Sequence, residues 1–376
     1  MTSRALAVRP LGVLEIVRRS IQLVGCPMDG PSEMGRRSFL EMAAAAAVAG
    51  VACRAEPGGR DREAGVSTRS RELAGKCCLV TGATSGMGAV TALELARLGA
   101  TVVVSGRSAE SCASQAEAIR RETGARVETA VADLGSLAQV RRMAAEVASR
   151  FERLDVLVNN AGTRLEQRSV TEDGLEKTFA VNYLSHFLLT NLLLDRLRAS
   201  PAARVVNVAS DAHALGKIEL DNLQGERHYE LMDAYARSKL AVVMFTYELS
   251  RRLEGTRVTV NAVHPGIVAT NLGDENGFFQ GWLRVRMRNL LKRSLLTPEE
   301  GARNIVRLAS APELEGVTAR YFDQDREVRS TPASYDAALA KRLWEVSEAL
   351  CASRPAAGAG SSQRAQPAAT GSATAR

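Results

Sequence analysis

Thr81-Gly82-Ala83-Thr84-Ser85-Gly86-Met87-Gly88 follows directly on the apolar run Cys77-Cys78-Leu79-Val80 and opens into a helical pattern over 86–98. A short β-prone run, a glycine-rich turn and a helix in immediate succession mark the start of a βαβ unit. Glycines at 82, 86 and 88 allow a tight turn and close backbone approach, and the helix behind them presents free N–H groups. A pyrophosphate fits such a place. The spacing is Gly-x3-Gly-x-Gly, not the commoner Gly-x-Gly-x-x-Gly. The turn alone is therefore weak evidence, and its position between strand and helix gives it weight.

Working outward, apolar β-branched runs at 77–81, 101–105, 127–132, 155–159, 204–209, 257–263 and 318–322 alternate with helical patterns. The helical patterns fall near 86–98, 109–123, 136–151, 173–197, 233–253 and 298–309, and Gly99 offers a stop for the first. This alternation predicts an α/β fold: a single Rossmann-type, doubly wound parallel sheet of seven strands, helices on both faces, spanning 73–350.

Composition excludes several classes. Hydrophobic content of 45% and charge of 24% are ordinary for a globular chain of 376 residues. The net charge of +7 is concentrated in the first 71 residues, in 284–293 and in the tail. No basic patch interleaved with aromatics is present, which argues against a nucleic-acid partner. Cysteines at 26, 53, 77, 78, 112 and 351 form no CxxC pair, so neither a metal site nor a disulfide framework is expected.

The ends are of different character. Residues 1–72 read as a largely disordered leader, and 351–376, made of Ala, Gly, Ser, Pro and Gln with scattered Arg, as a disordered tail. Within the leader, Gly35-Arg36-Arg37-Ser38-Phe39-Leu40 resembles a twin-arginine export motif, followed by an alanine-rich run from Met42 to Cys53 of signal-core length. Glu41 stands where a basic residue is usual, and Met28 and Met34 offer alternative starts. Export by that route is the expectation, with the cytoplasm as the other compartment.

Candidate functional residues cluster where strands end, because open α/β sheets bind ligands outside the carboxyl ends of their strands. The second strand ends in Ser105-Gly106-Arg107, with no acidic residue to hold ribose hydroxyls. Arg107 instead offers a planar charged fork suited to a 2′-phosphate, which favours NADP over NAD. Asp133-Leu134 closes the third strand, where the carboxylate either accepts from an adenine amino group or caps the next helix. Asn159-Asn160-Ala161-Gly162 ends the fourth, Ser210 follows the fifth, and His264-Pro265-Gly266 ends the sixth, with Thr270 shortly after. Asn182 interrupts an apolar helix and demands a partner. Tyr235 and Lys239 lie four residues apart on one helical face. A fixed ammonium there is expected to favour the phenolate and bring a phenol of ordinary pKa about 10 towards working range.

Taken in this order, the glycine turn, Asn-Asn-Ala-Gly, Ser210, Tyr235, Lys239 and Pro265-Gly266 resemble the short-chain dehydrogenase/reductase family over roughly 73–350. Finer features are similar to its retinol dehydrogenase-like branch: Val206-Asn207-Val208-Ala209-Ser210, Asp221-Asn222-Leu223-Gln224-Gly225, and Arg342-Leu343-Trp344-Glu345-Val346-Ser347. The resemblance implies a catalytic tetrad of Asn182, Ser210, Tyr235 and Lys239. In it Asn182 would anchor a water that relays protons to Lys239. It also implies cofactor contacts at Gly82, Ser85, Gly86, Met87, Gly88, Arg107, Asp133, Leu134, Asn159, Ala161, Gly162, Tyr235, Lys239, Pro265, Gly266 and Thr270.

After Thr270 the segment 278–293 places apolar residues at helical spacing among five basic ones. In the resembled family this region forms the substrate lid, which implies an apolar alcohol or carbonyl substrate. It also reads as a basic amphipathic helix suited to peripheral contact with an anionic membrane. The resemblance leaves a hydroxysteroid dehydrogenase or a protochlorophyllide-reductase-like enzyme as the alternative, and outside enzymes an NADP-sensing or scaffold protein. It leaves the oligomeric state open.

Overall fold

A computed structural model describes residues 72–268 and 296–352. The leader with its twin-arginine motif, Thr270, the segment 278–293 and the tail beyond 352 lie outside the described residues.

Among the described residues, eight strands form one sheet: β1 Cys77–Thr81, β2 Thr101–Gly106, β3 Val127–Val131, β4 Val156–Asn159, β5 Ala203–Val208, β6 Val258–His264, β7 Arg320–Asp323 and β8 Arg326–Val328. Their order is β3-β2-β1-β4-β5-β6-β7-β8, parallel except for the final β7–β8 pair. Seven strands match the pattern in the sequence. The eighth, Arg-Glu-Val, is exposed at every residue and too short and polar to carry a period. A hairpin forms it, turning on Gln324 at φ +55°. β7 itself begins at Arg320 because Ala319, at φ +57°, breaks the extended run before it.

The helices are α1 Gly86–Arg97, α2 Ala109–Thr123, α3 Leu137–Arg150, α4 Ser185–Leu192, α5 Leu194–Arg198, α6 Leu231–Arg252, α7 Pro298–Ser310 and α8 Ala337–Ala352. Strand side chains alternate between two cores. Leu79, Val103, Leu157, Val205 and Val260 face α3, α4, α6 and α8, while Cys78, Val80, Val102, Val104 and Val158 face α1, α2 and α7. Burial on both faces explains why these strands read as continuous apolar runs rather than alternating ones.

Two departures from the sequence reading concern helices. The pattern at 173–197 is not one helix. Gly174 takes φ +79°, and the buried Glu176 carboxylate caps the chain, accepting from Thr178 N at 2.7 Å and Phe179 N at 2.8 Å. A single α-turn, Lys177–Phe179, then widens into a π turn, Ala180–Leu184, before α4. Helix α8, which the strand-and-helix alternation did not include, runs to Ala352 and lies against α4 and α6 through Trp344. Trp344 packs 4.8 Å from Phe187 and 5.8 Å from Phe245, ring centre to ring centre.

Because β1 sits between β2 and β4, the chain leaves β1 in one direction and β4 in the other, and a crevice opens between their carboxyl ends. That crevice positions everything described next.

Candidate active site

The turn after β1 is shaped for close approach. Gly82 and Gly86 adopt φ +64° and +54°, open to glycine at no steric cost. A Cβ on Gly88 would meet the Gly82 carbonyl oxygen at 2.2 Å, so the third glycine lets α1 pack onto the turn. Ser85, the N-cap of α1, spends no side-chain hydrogen bond on the first helical turn. Its N–H groups are thus left for an anion, and the helix dipole favours one. The residues present fit a dinucleotide pyrophosphate.

The turn after β4 locks onto this one. Asn160 Nδ2 donates to the Thr81 carbonyl at 2.8 Å, while Thr81 Oγ1 accepts from Asn160 N at 3.0 Å and Ala161 N at 3.1 Å. Asn159 buries its side chain against the helices. Its Nδ2 donates to Thr190 Oγ1 at 3.0 Å and Asn207 Oδ1 at 2.8 Å, and Asn207 continues to Thr246 Oγ1 at 2.9 Å. Alternation along a strand sends successive side chains to opposite faces, and Asn160 rather than Asn159 faces the crevice.

At the flanks, Arg107 stands exposed directly after β2. Asp133 does not cap α3: Ser136 does, accepting from Gln139 N, while Asp133 Oδ1 accepts from Gly135 N at 2.8 Å. Leu134 is buried beside it. Pro265 and Gly266 follow β6, with Gly266 at φ +95° and no room for a Cβ against Leu296.

Four elements bring the polar centre together. Ser210, buried just past β5, opens the 3-10 turn Asp211–Leu215, and its Oγ accepts from Ala212 N at 3.2 Å. The same Oγ donates to Asp211 Oδ1 at 3.0 Å, and the half-buried Tyr235 phenol on α6 lies near enough for Ser210 to act on it. Lys239, one turn further along α6, donates from Nζ to the Val208 carbonyl at 2.8 Å and stands 5.7 Å from the Tyr235 ring centre. Burial pulls the Lys239 ammonium down to about 8.

Asn182 finds its partners through the π turn, a distortion frequent at functional sites. Its Oδ1 accepts from Thr163 N at 2.7 Å and its Nδ2 donates to Thr163 O at 2.9 Å and Ser238 Oγ at 3.0 Å. The side chain thereby ties the loop after β4 to α6.

One expectation needs correcting. The Tyr235 phenol is pushed up, not down: burial dominates, Ser210 and the Arg164 guanidinium pull the other way, and Asp211 adds to the rise. The Lys239 ammonium is engaged with the Val208 carbonyl at the end of β5. Arg164, 5.9 Å over the Tyr235 ring, and Asp211 and His213 on the turn were not singled out from the sequence. Only Asp211, adjacent to Ser210, carried a signal there.

Comparison with known proteins agrees with this geometry. Residues 76–278 match the family model for short chain dehydrogenases. Retinol dehydrogenase 13 of Mus musculus is 45% identical over 284 residues, covering 74% of this chain and 84% of that protein. Polyprenol dehydrogenase of Mus musculus is 43% identical over 277 residues, covering 72% and 82%. Among solved structures, a Pseudomonas aeruginosa RhlG/NADP active-site complex is 30% identical with a TM-score of 0.55, covering 68% of this chain and 97% of that one. The chain belongs to the short chain dehydrogenase family, and its relatives lie in the retinol dehydrogenase-like part of it.

Proposed function

We propose that this protein is an NADP(H)-dependent oxidoreductase that interconverts an apolar alcohol and its aldehyde or ketone, with Tyr235 as general acid and base. The observation that carries the reading is the convergence of Ser210, Tyr235 and Lys239 at the carboxyl end of β5, in the same sheet edge as the glycine turn. The relatives' names, a retinol and a polyprenol dehydrogenase, support an apolar alcohol as substrate. The exposed Arg107 after β2, with no carboxylate in its place, supports a 2′-phosphate and hence NADP.

When bound, the nicotinamide supplies the hydride acceptor or donor. The chain supplies the rest. In oxidation the Tyr235 oxygen takes the alcohol proton, and in reduction it returns one to the carbonyl oxygen. Ser210 hydrogen-bonds that same oxygen and fixes its distance from the phenol. Lys239, held at the end of β5 by Val208, places a cation at the sheet edge where ribose hydroxyls would lie. Asn182 keeps the loop after β4 and α6 in register, so the two walls of the site do not drift apart.

Tyr235→Phe is expected to reduce turnover by ~10²–10⁴-fold while leaving NADPH affinity near that of the parent chain. The measurement is NADPH oxidation over retinoid, steroid and long-chain aliphatic aldehydes, run beside NADH, with cofactor affinity followed calorimetrically. Undiminished turnover in the variant would remove Tyr235 from its role, and equal rates with NADH would remove the NADP preference.

A further inference from the structure

His213 is buried in the turn that Ser210 opens, and both of its ring nitrogens meet backbone groups. Its Nδ1 lies 2.7 Å from the Ser210 carbonyl oxygen, and Thr331 N lies 3.1 Å from its Nε2. These two partners leave one arrangement of the ring hydrogens. A carbonyl oxygen can only accept and an amide N–H can only donate, so Nδ1 carries the hydrogen and Nε2 is bare. A proton added at Nε2 would set one donor against another, and the Thr331 bond would be lost. We propose that His213 is a positioning residue for Ser210: its neutral imidazole, with the hydrogen on Nδ1, bridges the Ser210 carbonyl to the Thr331 N–H and holds the serine in register with the segment 330–335.

Both ends of the bridge are fixed. At the near end the Ser210 carbonyl also accepts from His213 N at 3.1 Å. The turn lies so close to α6 that a Cβ on Gly216 would meet the Ala236 carbonyl oxygen at 2.5 Å. Ala236 follows Tyr235, so the turn of the serine and the helix of the tyrosine share this contact. At the far end the Thr331 carbonyl accepts from Ser334 N at 3.0 Å and Ser334 Oγ at 2.6 Å. Ser330 Oγ, next to it, lies 2.7 Å from the Tyr247 hydroxyl on α6. The ring itself rests on Tyr321 of β7, 4.6 Å from centre to centre. Burial lowers its affinity for a second proton and His264 at the end of β6 acts the same way, against the Ser210 carbonyl and the exposed Asp211.

The kinetic consequence rests on the functional reading above. The Ser210 hydroxyl has to meet the substrate oxygen at a set distance, and a displacement of ~1 Å costs up to about 100-fold in rate. His213→Phe keeps a ring against Tyr321 and removes both bonds. It is expected to lower kcat roughly 10–100-fold, while NADPH affinity stays near that of the parent chain. His213→Asn loses the ring but keeps a side-chain N–H where Nδ1 stands, and is expected to recover part of the lost turnover. A role in packing alone ranks the two variants the other way, because Phe fills the space and Asn does not.

The direct readout needs no substrate. The chain has four histidines, so isotopic nitrogen labelling of histidine in the full chain gives four imidazole patterns by NMR. The pattern lost in His213→Asn belongs to this ring. At pH ~7.5, above the ordinary histidine value of ~6.5, it is expected to show a hydrogen on Nδ1 and none on Nε2. A hydrogen on Nε2 overturns the proposal. So does undiminished kcat in a folded His213→Phe, or a His213→Asn that turns over no faster than His213→Phe. If the ring carries its hydrogen on Nδ1 while the parent chain turns over no alcohol or carbonyl, the functional reading fails and the bridge from Ser210 to Thr331 stands.

Discussion

A methyl group at Gly88 would stand 2.2 Å from the Gly82 carbonyl oxygen and 2.5 Å from Asn160 Nδ2, two atoms that hold the crevice closed from below. The first is backbone and the second is tied to the Thr81 carbonyl at 2.8 Å, so the turn itself must shift. Gly88→Ala is therefore expected to weaken NADPH binding roughly tenfold or more, read by calorimetric titration, beyond whatever stability it costs in a urea melt. At this scale the sequence was most informative where the chemistry is local. Tyr235 and Lys239 share a helical face because helices repeat every 3.6 residues, and Ser210 follows a strand whose end is visible. It was least informative where a side chain's role depends on which way the backbone turns. Asn159 and Asn160 are adjacent and identical in type, and only the pleat decides that Asn160 binds the glycine turn while Asn159 enters the buried network.

Among elements, the last helix does more than its sequence suggests. α8 sets Trp344 against Phe187 and Phe245, places its Nε1 2.8 Å from Glu348 Oε1, and lies under the Arg252 guanidinium at 4.1 Å. It thereby covers α4 and α6, the two helices that carry the site into the sheet. Trp344→Ala is expected to cost ~3–5 kcal/mol, seen as a lower urea midpoint with unchanged slope. The π turn at Ala180–Leu184 is a second example. The pattern at 173–197 correctly marks helix, yet periodicity cannot register one widened turn, from which Asn182 reaches both Thr163 and Ser238. Among the described residues no helix is long and apolar enough to cross a membrane.

On the scale of the whole molecule, the pH response follows from two buried neutral imidazoles. Burial pushes His186 down to about 3, and burial also lowers His213, whose Nε2 accepts from Thr331 N at 3.1 Å. Unfolded, both titrate near ~6.5. Above that value neither state binds the proton and the contribution is intact. As pH falls below ~6.5 the unfolded chain takes up protons that the folded chain refuses, so stability declines towards the lowered folded values. Glu176, raised by burial, acts in the opposite sense nearer its own range, so the histidine effect is best read between pH ~6.5 and ~5. Urea melts across that window should show steadily lower stability, with a shallower slope in His186→Phe.

Local stretches of sequence were enough for the parallel α/β architecture, the glycine turn, Ser210, Tyr235 and Lys239, because each rests on a short-range period or on a strand running directly into a turn. Only the packed chain shows which of the two asparagines faces the crevice, where Asn182 finds its partners, and that burial pushes the Tyr235 phenol up. Those outcomes depend on distances between elements far apart in the chain and on how much water their packing excludes, and neither quantity is written in any local stretch of residues.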